Sequence, residues 1–449
     1  MKIDEFILQH ANLSASSCQI DESLFKQYDV KRGLRNADHT GVLVGLTRVG
    51  SVVGYEKVDG QLVAIDGKLI YRGIEINDLV HGFQTEKRPG FDETVFLLLF
   101  GRLPGKQELD DFSAGLAELR VLPENFNRDM ILTMRGHDIM NMLARSILAL
   151  YTLDENGDDT SIENILKQSV SLIAKFPTIA VYSYMAMMHL IYYQTLSVRY
   201  PDKRLSTAEN FLYMLKGHEY TPLEADLLDL CLVLHAEHGG GNNSTFTTRV
   251  VSSSGTDTYS AIVAAIGSLK GPLHGGANIA VIHMMDNIKA NVKNWANEEE
   301  VADYLRKILK KQAYDRSGKI YGFGHAVYTV SDPRALLLKQ EARKLAKEKD
   351  REGELALYEA IEKIGPEIYY EFKGTREKLI SPNVDFYSGF VYDCLKIPKE
   401  LYTPLFAISR ISGWCSHRLE ELLSGKRIIR PAYKAVEPEK SYIPMDKRQ

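Results

Sequence analysis

Residues 221–241 read TPLEADLLDLCLVLHAEHGGG, and this stretch indicates the fold class of the chain. Thr221, Pro222 and Glu224 have the order of a helix N-cap, a first-turn proline and a capping-box glutamate. The leucines and the valine that follow would surround this helix with apolar surface. A helix that is apolar nearly all round is buried, either in a large core or at a subunit interface. The stretch therefore predicts a helical protein with an extensive apolar interior.

The flanking sequence predicts an all-α, mainly helical protein with a few short strands near its N-terminal part. Strand signals concentrate in residues 41–73, where β-branched residues alternate and glycines are frequent. Residues 287–372 are richer in charge but keep apolar residues at helical intervals, which is typical of a smaller, more solvated helical domain. We predict a large helical domain, residues 1–276 and 391–449, interrupted by a small one, residues 277–390.

Composition excludes several classes of partner. The 449 residues carry a formal net charge of −4, which provides no overall basic field for nucleic acid or an anionic membrane. The most apolar window, residues 178–193, is interrupted by Ser183 and His189 and is expected to be too short to cross a bilayer. The N-terminus resembles neither a secretory signal nor a transit peptide. The four cysteines have no CxxC spacing, so we predict a soluble protein in a reducing compartment, the cytoplasm.

Three histidines lie in glycine-rich loops, at His238, His274 and His325. Glycine beside a histidine lets the backbone turn sharply and lets a ligand approach closely, which a histidine in ordinary packing does not need. A fourth polar turn, residues 381–389, presents Asp385 before an apolar stretch. Taken singly, each histidine is more often a surface or satisfied core residue, and Asp385 a turn or capping residue. The glycine context of all three histidines favours a ligand site.

Two further residue groups also have simpler interpretations. His235, Glu237 and His238 suggest a metal site, but no cysteine or second carboxylate cluster completes a ligand set, so we predict no metal. Arginine is usually solvated or ion-paired on a helix face, and the three candidates, Arg334, Arg410 and Arg430, are unremarkable singly. Only a shared ligand would unite them.

Four motifs in order resemble the citrate synthase family. They are GPLHGGAN at 271–278, GFGHAVY at 322–328 with DPRA at 332–335, PNVDFYSG at 382–389, and the spacing from Arg410 to Arg430. Weaker similarity extends the resemblance over residues 67–433. It implies an acyltransferase that condenses acetyl-CoA with oxaloacetate, works as a homodimer, and belongs to the tricarboxylic acid cycle. The CoA thioester is then a substrate, and no cofactor is implied.

The resemblance also implies catalytic roles. His274 matches the family's histidine that binds the thioester carbonyl, and Asp385 matches the aspartate that removes a methyl proton. His325 matches the residue that polarises and protonates the ketone oxygen of oxaloacetate. A thioester methyl is a very weak carbon acid, so the chemistry needs its enolate oxygen stabilised while the proton leaves.

Binding roles follow from the same resemblance. His238, Arg334 and Arg410 match oxaloacetate-binding residues, and Arg430 matches an arginine that reaches in from the neighbouring subunit. Arginine forks suit a dicarboxylate better than lysine does. In the resemblance the small domain closes over oxaloacetate and completes the acetyl-CoA site.

The predicted CoA contacts are Lys319, Gly322 and Gly324. Ala326 and Thr329 stand where many relatives have basic residues that could help to neutralise CoA phosphate. Lys319 is the substitute that we predict for that charge.

The sequence leaves three alternatives open. A 2-methylcitrate synthase would use the same residues on propionyl-CoA, and one methylene gives only about 1 to 3 kcal/mol of discrimination. A metallohydrolase would use His235, His238, His274 and Asp385. A non-catalytic paralogue would bind CoA or a partner only, but His274, His325 and Asp385 occur together, which argues against it.

Overall fold

The computed structural model describes residues 2–36, 38, 40–376 and 379–448. These residues form seventeen α-helices and a small three-stranded sheet, which confirms the predicted mainly helical fold class. The N-terminal helices are α1 Ile3–Ser17, α2 Glu22–Gln27, α3 Ile76–Thr85, α4 Phe91–Phe100, α5 Lys106–Leu119, α6 Ile139–Tyr151, α7 Ile162–Leu190 and α8 Thr207–Lys216. The remaining helices are α9 Pro222–His235, α10 Asn243–Ser252, α11 Thr258–Lys270, α12 Ala277–Asn291, α13 Glu298–Leu309, α14 Pro333–Glu348, α15 Glu352–Lys373, α16 Val384–Cys394 and α17 Tyr402–Glu420.

The predicted strands form an antiparallel sheet of order β1-β2-β3, with β1 Gly50–Val58, β2 Gln61–Tyr71 and β3 Ile74–Glu75. The β1–β2 register shifts between Val53 and Tyr55, at Gly54. A Cβ at Gly54 would lie 2.4 Å from the Val327 carbonyl oxygen, so glycine is needed for this close approach. The hairpin thereby packs directly on the loop that carries His325.

Helix α9 is buried in the core of this chain. Of the two environments that its apolar surface allowed, a large core or a subunit interface, the structure therefore shows the core. Thr221 caps it, because its side chain accepts a hydrogen bond from the Glu224 backbone N–H. The reciprocal half of the predicted capping box is absent. The Glu224 carboxylate instead pairs with Lys216 at 2.7 Å and Lys349 at 2.6 Å, because both amines reach this buried position.

Helix α7 is longer than the apolar window in its sequence. It runs for 29 residues, and its length and composition would allow it to cross a membrane, so the expectation of a window too short to span was wrong. Pro177 lies inside the helix and does not end it, so the residues on both sides of this proline belong to one helix. However, 78% of its most apolar window is buried inside the protein. Core burial accounts for its composition.

Helices α12 to α16 pack against one another in the region predicted as the small domain. The predicted upper boundary at residue 390 lies inside α16, which continues to Cys394. Helices α14 and α16 also contact α9, and α12 contacts α17. These contacts join the predicted small domain to the core of the large one.

Candidate active site

The glycine-rich loops of His238 and His325 come together in space. Their rings lie 5.0 Å apart, centroid to centroid, and are nearly perpendicular. His238 is buried at the end of α9, and its Nε2 has no hydrogen-bond partner. Burial lowers the pKa of His238 well below its usual value, and the charge of Arg334 adds to this effect. His238 is therefore a neutral ring with a buried polar atom left for a ligand.

His325 is held in one tautomer by its own loop. The backbone N–H groups of Val327 and Tyr328 both donate to its Nδ1, each at 3.0 Å. The ring proton must therefore sit on Nε2, because Nδ1 accepts. Burial lowers the pKa of His325 to about 4, and the Arg334 charge acts in the same direction. The ring stacks on Tyr328 at 4.7 Å, so it is a rigid, neutral hydrogen-bond donor.

The His325 loop and the Asp385 loop are paired through their backbones. Asn383 N–H donates to the Gly322 carbonyl at 2.8 Å, and Gly324 N–H donates to the Ser381 carbonyl at 2.9 Å. The Asn383 side chain also donates to the Gly324 carbonyl at 3.1 Å. Gly322 and Gly324 have φ of 82° and 85°, a conformation that favours glycine. The pairing fixes the start of α16, which carries Asp385, relative to His325.

Arg334 and Asp332 form a buried, two-pronged ion pair at the start of α14. Arg334 Nε and Nη2 donate to the two Asp332 oxygens at 3.0 and 2.8 Å. Asp332 also accepts from the Val384 backbone N–H at 3.2 Å, next to Asp385. A ligand can therefore meet Arg334 only at its Nη1 and Nη2 edge. The ion pair orients that edge and ties α14 to α16.

Arg410 differs from Arg334 because its terminal nitrogens are unsatisfied. The side chain is 0% exposed, and its Nε donates to the His235 carbonyl at 2.6 Å. Nη1 and Nη2 are buried and have no hydrogen-bond partner. An unpaired buried guanidinium edge is costly, because desolvation is not repaid by hydrogen bonds. Such an edge is expected where a ligand carboxylate completes the pairing.

His274 lies at the N-terminus of α10. The Ser244 backbone N–H donates to His274 Nε2 at 3.3 Å, and Ser244 Oγ lies 3.0 Å from the same atom. A backbone N–H can only donate, so Nε2 accepts and the proton of neutral His274 sits on Nδ1. Burial lowers the pKa of His274 to about 4, with a further contribution from the Arg410 charge. His274 thus offers a neutral N–H to a ligand oxygen.

Asp385 has the electrostatic properties of a general base. It lies in the first turn of α16, and burial raises its pKa to about 6, although the charges of Arg334 and Arg410 oppose this rise. A carboxyl group with a pKa close to neutrality is ionised at neutral pH, yet it is a stronger base than an ordinary aspartate.

Two predicted residues lie apart from this cluster in the single chain. Arg430 is exposed and follows α17 in a segment without regular structure. Lys319 is also exposed. A Cβ at Gly322 would lie 2.8 Å from Val281 and 2.9 Å from Phe386, so internal packing explains this glycine. Gly324 has open space where a Cβ would stand, so its backbone can be approached closely.

Sequence reasoning missed two residues that support the site: Asp332 and Ser244. Asp332 precedes Pro333, a helix-start signal that could have identified it as an N-cap. Ser244 contacts His274 across thirty positions, and it also accepts a hydrogen bond from Trp414 at 3.1 Å. No local pattern indicated that contact.

His235 and Glu237, which suggested a metal site in the sequence, each have another partner in the structure. Within residues 2–36, 38, 40–376 and 379–448, no group of three or more His, Cys, Asp or Glu side chains could hold a metal ion. His235 Nδ1 bonds to the Cys231 carbonyl at 2.8 Å, and Glu237 bonds to His417 at 2.8 Å. Two residues of the pattern are thus bonded to other groups of the protein, whereas His238 Nε2 has no partner.

Neutral histidines, buried arginines and a carboxyl group of raised pKa on a helical scaffold define an acid–base enzyme for an anionic substrate. The sequence model of the family described as "Citrate synthase, C-terminal domain" matches residues 38–432. The chain is 37% identical to the citrate synthase of Synechocystis, over 90% of this chain and 93% of that one. It is 36% identical to citrate synthase 2 of Bacillus subtilis, over 86% and 94%.

Solved structures agree with the sequence comparisons. The citrate synthase of Thermoplasma acidophilum, in a ternary complex with carboxymethyl coenzyme A and oxaloacetate, matches with a TM-score of 0.75 and 27% identity, over 93% of this chain and 99% of that chain. The citrate synthase of Thermotoga maritima matches with a TM-score of 0.72 and 30% identity, over 94% and 99%. The chain belongs to the citrate synthase family and is therefore an acyltransferase.

Proposed function

We propose that this chain condenses acetyl-CoA with oxaloacetate and water to give citrate and CoA. One observation carries the proposal: Arg410 Nη1 and Nη2 and His238 Nε2 are buried polar atoms without partners. A dicarboxylate with a keto group supplies carboxylates that pair with the guanidinium groups. Its oxygen atoms also accept hydrogen bonds from the histidines. The Thermoplasma relative bound to oxaloacetate and a CoA analogue supports this choice of ligands. The 2-methylcitrate alternative is not favoured, because the relatives described above are citrate synthases by name.

Enolisation is the first chemical step. Asp385 removes a proton from the acetyl methyl group, and His274 Nδ1–H donates a hydrogen bond to the thioester oxygen as negative charge develops there. The Ser244 N–H at His274 Nε2 keeps the ring proton on the side that serves this role. A neutral histidine suits the step, because its Nδ1–H can donate to the enolate oxygen without a prior change in the protonation of the ring.

Condensation follows at the ketone carbon of oxaloacetate. Arg334 and Arg410 hold the carboxylates, and His238 and His325 donate hydrogen bonds to the substrate. The enolate carbon forms a bond to the ketone carbon, and the ketone oxygen takes the proton from His325 Nε2. The proton that Asp385 removed from the methyl group then restores His325 before the next turnover, so that both residues return to their starting states. Water then cleaves the thioester of citryl-CoA, which releases citrate and CoA. We propose that Lys319, Gly322 and Gly324 contact the CoA part of the substrate. The backbone of Gly324 can be approached closely there, because open space lies where a Cβ would stand.

A thiol-release assay tests this function directly. Free thiol should appear only when oxaloacetate and acetyl-CoA are both present, and citrate should form in equal amount. Propionyl-CoA in place of acetyl-CoA should react more slowly; a faster reaction would assign the chain to 2-methylcitrate synthesis. The rate should not change after treatment with a chelator, because the proposed steps need neither metal nor bound cofactor.

We further propose that residues 277–390 close over oxaloacetate, driven by the arginine contacts. Oxaloacetate alone should then protect the connection between the two domains from limited proteolysis, whereas acetyl-CoA alone should not. Arg410→Met should lose this protection, because it removes the guanidinium edge without leaving a carboxylate unpaired. Digestion time courses followed by gel electrophoresis measure the effect, and equal protection by either substrate would contradict the proposed order of binding.

We propose a homodimer in which Arg430 serves the active site of the partner. The exposed segment after α17 includes large apolar side chains such as Tyr433, which is 95% exposed on the single chain and would be covered by a partner. We also place the protein in the cytoplasm and in the tricarboxylic acid cycle. Free cysteines at all four positions support a reducing compartment.

Hybrid dimers test the position of Arg430. Asp385→Asn and Arg430→Ala chains, each inactive alone, are unfolded, mixed and refolded, so that about half of the dimers are hybrids. One site in each hybrid then has an intact Asp385 and the intact Arg430 of the other chain. We expect roughly a quarter of wild-type thiol release, because half of the dimers regain one of two sites. Activity no higher than that of the parents would place Arg430 in its own subunit's site.

A further inference from the structure

The mechanism leaves a largely buried cluster of ionisable side chains without a role. It consists of Glu237, His417, Arg249, Glu420 and Glu421, and we call it the Glu237 network. Glu237 and His417 are both 0% exposed. Buried charges are costly to retain for stability alone, since well-packed apolar residues often do as well or better. The network lies directly beneath the His238 turn, so its contacts to that turn are informative.

Arg249 donates hydrogen bonds to both sides of the network. Arg249 donates to His417 Nδ1, with Nε at 3.1 Å and Nη2 at 2.6 Å, so the His417 proton sits on Nε2. His417 Nε2 then donates to Glu237 Oε1 at 2.8 Å. At the other end, Arg249 pairs with Glu420 and with Glu421 at 2.9 Å. These hydrogen bonds therefore orient the His417 Nε2–H towards Glu237 Oε1.

That same Glu237 oxygen holds the turn that presents His238. The Gly239 backbone N–H donates to Glu237 Oε1, so the side chain of Glu237 closes a short loop with His238 between its ends. Gly239 has φ of 80°, which favours glycine and lets the turn close. A movement of Glu237 would therefore move the His238 backbone.

The second oxygen of Glu237 faces helix α17. A Cβ at Gly413 would lie 2.5 Å from Glu237 Oε2, and Gly413 follows Arg410 by three positions, on the same helical face. Oε2 is buried and has no hydrogen-bond partner. Arg410 and Glu237 each act electrostatically on the other. Glu237 is thus placed between the two groups that we assign to oxaloacetate, His238 and Arg410.

We propose that Glu237 is a positioning residue for the oxaloacetate site, which it holds through Oε1 by fixing the His238 turn, with His417 and Arg249 setting its own orientation. The inference rests on the proposed function, because it assigns an effect on oxaloacetate. Glu237 need not touch the substrate. Its loss should weaken oxaloacetate binding and leave the acetyl-CoA side, built on His274 and Ser244, unaffected.

The test compares Glu237→Ala with Glu237→Gln and with a matched control. Glu237→Ala removes the acceptor for Gly239 N–H and His417, and we expect the KM for oxaloacetate to rise tenfold or more, on the order typical of a buried group left unpaired. The KM for acetyl-CoA at saturating oxaloacetate should stay at the wild-type value. Glu237→Gln keeps an amide oxygen at the same place and should restore most of the oxaloacetate affinity.

Glu224→Ala provides the control. Glu224 is also a buried glutamate, 4% exposed, and its two lysine contacts lie at the N-terminal end of α9, away from the histidine loops. Glu224→Ala should lower the melting temperature as Glu237→Ala does, without changing the KM for oxaloacetate. If Glu237→Ala does not fold, His417→Gln and His417→Leu replace it. Gln keeps an N–H donor near Glu237, so only His417→Leu should raise the KM for oxaloacetate.

The outcomes separate this inference from the proposed function. If wild-type protein fails to release thiol from acetyl-CoA with oxaloacetate, the proposed function fails. If wild-type protein is active but Glu237→Ala has an unchanged KM for oxaloacetate, the positioning role is wrong. It is equally wrong if Glu224→Ala raises that KM as much, or if Glu237→Gln is as impaired as Glu237→Ala. A selective rise that glutamine relieves supports the role.

Discussion

Asp385→Asn is expected to lower turnover about 10²- to 10⁴-fold, because asparagine cannot accept the methyl proton of the thioester. Oxaloacetate affinity should remain near the wild-type value, since Asp385 acts on the other substrate. Steady-state thiol release gives the first quantity, and calorimetric titration with oxaloacetate gives the second. A variant that keeps more than roughly a tenth of wild-type turnover would contradict the general-base role.

The pH dependence of the wild-type enzyme supplies an independent check on Asp385. Burial raises the pKa of this carboxyl group to about 6, so kcat should fall as the pH drops through that value and the base becomes protonated. The sign of the stability effect follows from the same shift. A folded-state pKa above the unfolded value means that the ionised carboxylate destabilises the fold at neutral pH. Asp385→Asn should therefore melt at a higher temperature than wild type at pH 7, which also shows that its lost turnover is not unfolding.

Arg410→Met is expected to weaken oxaloacetate binding by about 10²-fold or more, the loss typical when one partner of a buried charge pair is removed. The same variant should be as stable as wild type without ligand, or more stable. In the free protein the Arg410 terminal nitrogens are buried and have no hydrogen-bond partner, so methionine removes an incompletely compensated charge and keeps apolar volume. Oxaloacetate titration and thermal melting without ligand measure the two effects.

Arg418 provides a matched control for Arg410 on the same helix. It is also 0% exposed, but its nitrogens are satisfied by Ser252 and Thr258 at 3.2 Å each and by the Thr256 carbonyl at 2.7 Å. Arg418→Met should therefore lower the melting temperature and leave the KM for oxaloacetate unchanged. If Arg410→Met destabilised the free protein as much as Arg418→Met, Arg410 would be a structural residue and its unpaired edge would have no ligand role.

The local sequence predicted the scaffold correctly because its signals act over a few residues. The Thr221 cap and the apolar surface of α9 are local signals, and the hairpin follows from alternation and glycine in residues 41–73. Where the local pattern failed, a distant group was responsible. The Glu224 carboxylate pairs with two lysines and does not complete the capping box. One of them, Lys349, lies 125 positions away in the chain. Such a partner is set by tertiary packing and not by local propensity.

The sequence by itself determined which chemistry this protein can carry: the glycine-flanked histidines, the aspartate at 385 and the arginines that the motifs place in order. Only the tertiary structure decided their states. It pairs Arg334 with Asp332 yet leaves the Arg410 terminal nitrogens without hydrogen-bond partners. It also fixes the ring proton of His274 on Nδ1 through an amide thirty positions away. Protonation, tautomer and hydrogen-bond satisfaction depend on burial and on neighbours brought together by folding, and no window of sequence contains those neighbours.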